Sequence, residues 1–257
     1  MTTATMRPSV LIPIAPGTNR NQELADAFDA AGADAAQVPL QALRQGETKL
    51  ADHQLLALAG GFSYGDALGA GRLFGLDLTG WFDDQLHEAQ ARAMPIIGIC
   101  NGFQALVRAG LLPGGDTAAA LVANDSARFE CRWVHLAPDP ARSSLWLDGL
   151  TEPLRCPVAH GEGRLAVEDP SAVADNVALR YATADGTPAG GTYPTNPNGS
   201  VDDIAGLIDD SGRVLGLMPH PEDHVLARHD PLRGRGGGTE GVGRCLDLFR
   251  NGVAAVG

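Results

Sequence analysis

Residues 95–104, Pro-Ile-Ile-Gly-Ile-Cys-Asn-Gly-Phe-Gln, constrain the fold more than any other stretch of the chain. The short apolar run suits a buried strand. A helix-compatible segment, residues 102–109, follows at once. A cysteine between the two sits on a sharp strand-to-helix turn. Gly98 and Gly102 lie two residues to either side of Cys100. Small neighbours let the backbone take a strained turn while the side chain stays exposed. The start of a helix also offers unpaired N–H groups, which favour thiolate over thiol and can hold an oxyanion. The competing reading is a buried core cysteine, since free cysteine behaves as a small hydrophobe. Gly-x-Cys-x-Gly alone is too short a pattern to separate the two.

The segments before this turn alternate strand and helix. Ser9–Ile14 reads as a strand, residues 16–19 as a turn, and Asn21–Ala31 as an amphipathic helix ended by Gly32. A short strand is expected at 36–38 and another at 54–59, running into the loop Gly60-Gly61-Phe62-Ser63-Tyr64-Gly65-Asp66. Residues 78–92 read as one amphipathic helix. This alternation implies a parallel sheet with helices on both faces. Segments 129–136, 155–160, 163–167, 178–183, 203–208 and 214–218 read as strands without long helices between them. They are expected to add antiparallel strands. Residues 190–200 and 233–238 are Gly-rich loops, and 242–251 is the final helix. There is no internal repeat and no linker, so 1–257 is expected to be one α/β domain.

Nineteen Lys and Arg against 31 Asp and Glu give a net charge of −12. That argues against a nucleic-acid surface and an anionic membrane surface. The four cysteines, Cys100, Cys131, Cys156 and Cys245, form no Cys-x-x-Cys pair. A disulfide framework or structural zinc site is not expected, and a reducing compartment fits. Residues 1–7 are polar and no membrane-length apolar window follows, so a cytoplasmic location is expected.

A second cluster lies at 219–222, Pro-His-Pro-Glu, after an apolar strand. His220 can take a thiol proton and return it to a leaving amine. Glu222 can fix the ring's tautomer and favour imidazolium. Read alone, the pair also fits an ordinary polar loop; read with Cys100, catalysis is favoured. In parallel sheets catalytic groups gather at strand carboxyl ends. Backbone N–H groups of the Gly60-Gly61 turn, with that of Asn101, can stabilise an oxyanion; Gly-Gly alone also fits a simple loop. His220, His224, His229 and Asp230 are crowded, but they do not form His-Glu-x-x-His, and Pro221 breaks helical spacing. No metal site is expected.

Taken in order, these parts resemble the class I (triad-type) glutamine amidotransferases, and among them the glutaminase subunits of phosphoribosylformylglycinamidine synthases. The matching segments span most of the chain. They are Ala15-Pro16-Gly17-Thr18-Asn19, the 60–66 loop, Gly98 to Gln104, Gly110-Leu111-Leu112-Pro113-Gly114 and Asn124-Asp125-Ser126-Ala127-Arg128-Phe129-Glu130. His160-Gly161-Glu162-Gly163-Arg164, Asn196-Pro197-Asn198-Gly199-Ser200 and Met218-Pro219-His220-Pro221-Glu222 complete the set. The resemblance implies a flavodoxin-like three-layer sandwich with a mainly parallel central sheet. It implies a Cys100–His220–Glu222 triad that hydrolyses glutamine, with the Gly61 and Asn101 backbone N–H groups as the oxyanion hole and Gln104 and residues near Phe129 helping to hold the substrate. The ammonia would pass to a large ATP-using synthetase subunit, often joined by a small accessory subunit. This chain lacks a Gly-x-x-x-x-Gly-Lys-Ser/Thr pattern, so ATP and magnesium are expected on the synthetase and no cofactor here.

The 160–164 and 196–200 segments are candidates for site closure or partner contact, against a plain role as turns. Two departures stand out. Asp223-His224 occupies the place where many members carry arginine, and an insert at about 225–238 precedes the last helix. The elbow and triad alone also allow an amidotransferase for another acceptor, or a stand-alone cysteine amidase or peptidase of the same fold. A non-catalytic subunit is disfavoured by the intact Cys100, His220 and Glu222 set.

Overall fold

The computed structural model describes residues 7–114, 118–140, 143–232 and 243–257. β1 (Ser9–Ile14) leads through a turn into α1 (Asn21–Ala31). Gly32, at φ 97°, closes α1 in the left-handed region, and its N–H donates to Asp29 O. β2 (Asp34–Pro39) and the short α2 (Leu40–Arg44) follow. β3 (Leu55–Leu58) and β4 (Ile96–Ile99) are buried at every residue, as strands covered on both faces must be.

The single helix expected over 78–92 is two helices, α3 (Arg72–Trp81) and α4 (Asp83–Ala91). Phe82 breaks them at φ −126°, ψ 12°, and its ring is buried. Burying that ring turns the chain, and Asp83 and Asp84 then favour a new helix start. α3 also begins before the expected residue. Gly71 and Gly75 weaken a helical reading, yet they admit α5 (Asn101–Arg108) at close range. A β-carbon on Gly75 would lie 2.6 Å from Arg108 Cβ.

The second half holds β5 (Ala119–Val122), β6 (Glu130–Pro138), β7 (Leu154–His160), β8 (Arg164–Val167), β9 (Val177–Ala182), β10 (Ile204–Ile208) and β11 (Val214–Leu217). β5 was not expected; it is a half-buried four-residue strand whose partner, β8, is the other member of a small separate sheet. The last helix, α6 (Leu246–Ala254), starts later than residue 242. Residues 233–238 lie outside the described residues, as does Val242.

Among the described residues the main sheet has nine strands in the order β2-β1-β3-β4-β11-β10-β9-β6-β7. Its first five strands are parallel, in the flavodoxin-like 2-1-3-4 order with β11 taking the fifth place. The remaining four pair antiparallel, as expected from strands without intervening helices. α1 packs on α6 through an edge-to-face contact of Phe28 and Phe249, ring centroids 5.2 Å apart. Phe103 of α5 lies over Gly216 of β11, where any β-carbon would meet the ring at 2.0 Å. The parallel pairing sets the carboxyl ends of β1, β3, β4 and β11 side by side.

Candidate active site

Cys100 joins β4 to α5 at φ 51°, ψ −106°. A non-glycine residue in this region carries strain of about 1–3 kcal/mol. Its surroundings hold it there. Cys100 N–H donates to Leu217 O at 2.8 Å, and Cys100 O accepts from Gln104 N at 3.0 Å. The flanking glycines are required by space. A β-carbon on Gly102 would lie 2.1 Å from Leu58 O, and one on Gly98 would lie 2.5 Å from Leu106 Cδ1. This is a strained strand-to-helix elbow, and the thiol Sγ is 3.7 Å from Ala159 O.

β11 runs parallel to β4 with Leu217 opposite Ile99, so the residues beyond both strands emerge together. His220 N–H donates to Pro157 O, which anchors the loop after β11. His220 Nδ1 donates to Glu222 Oε1 at 2.6 Å, and both side chains are buried. Among the described residues His220 Nε2 has no hydrogen-bond partner. Burial works against a charged ring here, but Glu222 and then Cys100 outweigh it and hold the His220 pKa well above the ordinary imidazole value. Gly60 makes room for this arrangement. The position of a β-carbon on Gly60 is 2.8 Å from His220 Cε1 and 3.5 Å from Cys100 Cβ.

Cys100 and His220 open onto a pocket of about 280 Å³. Gly61, at φ 131°, is on its wall, and Asn101 heads α5, where its N–H has no acceptor within the helix. Phe129 is at the pocket, stacked on Phe62 with ring centroids 6.4 Å apart. Both rings are exposed. Gln104 sits elsewhere: its Nε2 donates to Glu162 O and its Oε1 accepts from Asn101 Nδ2. It is buried behind the elbow rather than on the pocket wall.

Sequence reasoning did not place Arg20 and Asp223 in the site, although both line the pocket. Arg20 Nη2 pairs with Asp223 Oδ1, and Arg20 Nη1 with Glu23 Oε1 at 3.0 Å. Burial, then the Glu222 carboxylate, push the Asp223 pKa up to about 6 against the pull of Arg20. The departure from arginine at position 223 was the one signal available.

The 160–164 and 196–200 segments form a buried polar knot. Asn198 Nδ2 donates to Gly163 O and Tyr181 Oη, and Asn198 Oδ1 accepts from Ser200 N and Oγ. Asn124 Nδ2 donates to His160 O and Arg128 O, while its Oδ1 accepts from Gly163 N. Burial, then the nearby His220 charge, lower the His160 pKa to about 4. His224 Nδ1 donates to Arg155 O. Among the described residues no group of three or more His, Cys, Asp or Glu is placed to hold a metal ion.

Residues 7–255 match the model of a CobB/CobQ-like glutamine amidotransferase domain. The phosphoribosylformylglycinamidine synthase subunit PurQ of Treponema denticola is 41% identical over 98% of this chain and 100% of its own length. That of Dehalococcoides mccartyi is 40% identical over 95% of each. The chain belongs to this glutamine amidotransferase family. A solved member, in the structure of PurLQS from Thermotoga maritima, superposes with a TM-score of 0.73 at 32% identity, covering 97% of this chain and 99% of that one. The family's fold is therefore the fold seen here.

Proposed function

We propose that this chain is the glutaminase subunit of a phosphoribosylformylglycinamidine synthase in purine biosynthesis, with Cys100, His220 and Glu222 as its triad. The observation that carries the assignment of residues is the strained Cys100 elbow beside a buried His220–Glu222 pair, both at one pocket. The two PurQ relatives at 40% and 41% identity, matched along nearly all of their length, support the acceptor.

Cys100 Sγ, whose proton has already passed to His220 Nε2, attacks the side-chain carbonyl carbon of glutamine. Glu222 holds the ring so that Nε2, not Nδ1, faces the reaction. The N–H groups of Gly61 and Asn101 receive the oxyanion. His220 then returns its proton to the amide nitrogen, the C–N bond breaks, and ammonia leaves. Water, activated by the same imidazole, cleaves the thioester and frees glutamate and Cys100. Ammonia must reach its acceptor before it is protonated in bulk water. The acceptor is the ATP-using synthetase subunit, which holds ATP and magnesium, with a small accessory subunit as a further partner. The reading places residues 1–257 in the cytoplasm as one glutaminase domain; no helix among the described residues is long and apolar enough to cross a membrane.

The test is glutamate release by the purified chain with the synthetase, ATP and formylglycinamide ribonucleotide. Glutamate formed in step with amidine, and abolished by Cys100→Ala, is the expected result. Release that ignores the synthetase and its substrates would point to a stand-alone amidase.

A further inference from the structure

A pocket that accepts glutamine must recognise an amino-acid head as well as an amide. The head carries one ammonium and one carboxylate. Most of the wall offers no full charge: Phe62, Phe129, Pro157, Val158 and Ala159 are apolar, and Asn19 is neutral. Gln104 has both ends of its amide bonded inside the protein. Apart from His220, the charged side chains on the described wall are one guanidinium, Arg20, and one carboxylate, Asp223. We infer that Arg20 and Asp223 are the specificity-determining pair for the head of glutamine, Arg20 receiving the α-carboxylate and Asp223 the α-ammonium. This rests on the glutaminase reading of the pocket.

The distances suit it. Arg20 Cγ and Cys100 Cβ each lie 3.5 Å from the same point, the position of a β-carbon on Gly60, so at most twice that length separates them. In a glutamine attacked at its side-chain carbonyl carbon, Cα is three carbon–carbon bonds away, about 4 Å when extended. The head therefore falls within reach of the Arg20 fork.

The pair need not open to admit it. Arg20 has five N–H donors and a carboxylate has about four acceptor sites. The side chains of Arg20 and Asp223 are 30% and 26% exposed, so each retains a face towards solvent. Asp223 is short of positive charge, because Glu222 stands beside it and Arg20 is shared with Glu23. A substrate ammonium supplies what is missing.

The test compares kcat/KM for glutamine with that for 5-amino-5-oxopentanoate, which lacks the ammonium, and 4-aminobutanamide, which lacks the carboxylate. The enzyme is the complex with its synthetase, ATP and formylglycinamide ribonucleotide. An analogue that is not turned over is measured as a competitive inhibitor, and its Ki replaces its KM. Asp223→Asn is expected to raise KM for glutamine and to cut its preference over the deaminated analogue about 10- to 100-fold. Arg20→Gln should collapse the preference over the decarboxylated analogue instead. Asp223→Glu should restore much of the first preference.

If both variants lose activity while both ratios hold, the pair merely braces the loops and the inference is overturned. Cys100→Ala separates this from the triad. Collapsed ratios with hydrolysis surviving in Cys100→Ala would retain the head assignment and remove the nucleophile. Unchanged ratios with hydrolysis lost would do the reverse.

Discussion

Gly60 lacks a β-carbon where the imidazole of His220 needs the space, and a methyl group there would press on Cε1 from 2.8 Å. Gly60→Ala should therefore displace His220, the proposed base, while sparing the core. A displacement of the order of an ångström costs about 100-fold in rate, so kcat should fall by about that factor with little change in thermal midpoint. Asp223 makes a second case. Its pKa is about 6 in the fold against an ordinary 3.8, so the folded state binds more protons than the unfolded one between those values. Stability from this group is thus highest in acid and falls as pH rises from about 4 to 6. Asp223→Asn should stabilise the protein at pH 7 by about 1–2 kcal/mol, discounted for partial exposure, and hardly at all below pH 4. Denaturant titrations at the two pH values check it. The proposed triad, Cys100, His220 and Glu222, was legible because residues of those types sit in recognisable local patterns. Arg20 and Asp223, 203 positions apart, were not: no local pattern announces a wall assembled from two distant loops.

At the scale of elements, the strands of the parallel half were readable within a residue or two, because buried runs such as 96–99 have few alternatives. The α3–α4 break was not, because burying Phe82 is a tertiary effect that overrides helical periodicity. The 160–164 and 196–200 segments had been candidates for closure or partner contact. In the second of them, Asn196 and Asn198 hold buried backbone and side-chain partners. Asn198→Ala would strand Tyr181 Oη and Ser200 N together and leave Gly163 O with Ser200 Oγ at 3.5 Å. The expected cost is about 2–4 kcal/mol, read as a lower denaturant midpoint. A surface role would instead leave the midpoint unmoved.

Over the whole molecule, the parallel half was legible as alternation of strand and helix, the antiparallel extension as its absence, and the flavodoxin-like arrangement only through the family resemblance. The pairing order β11-β10-β9-β6-β7 was not, since single strands carry no address. The Phe28–Phe249 contact lies about two turns along α1 from Arg20 and the pocket. Phe28→Ala, removing a fully buried ring from its contact with Phe249, should cost about 3–5 kcal/mol of stability and leave kcat of the folded fraction unchanged.

The parallel register of β4 and β11 has a metrological meaning. Ile99 lies opposite Leu217, and the next amide, that of Cys100, is bonded to Leu217 O. One step of slip between these strands would shift Cys100 against His220 by about 3.3 Å. The reaction distance is gauged by a backbone ladder rather than by flexible side chains. Catalytic alignment thus inherits the rigidity of the sheet's buried centre, and it should persist until that centre comes apart.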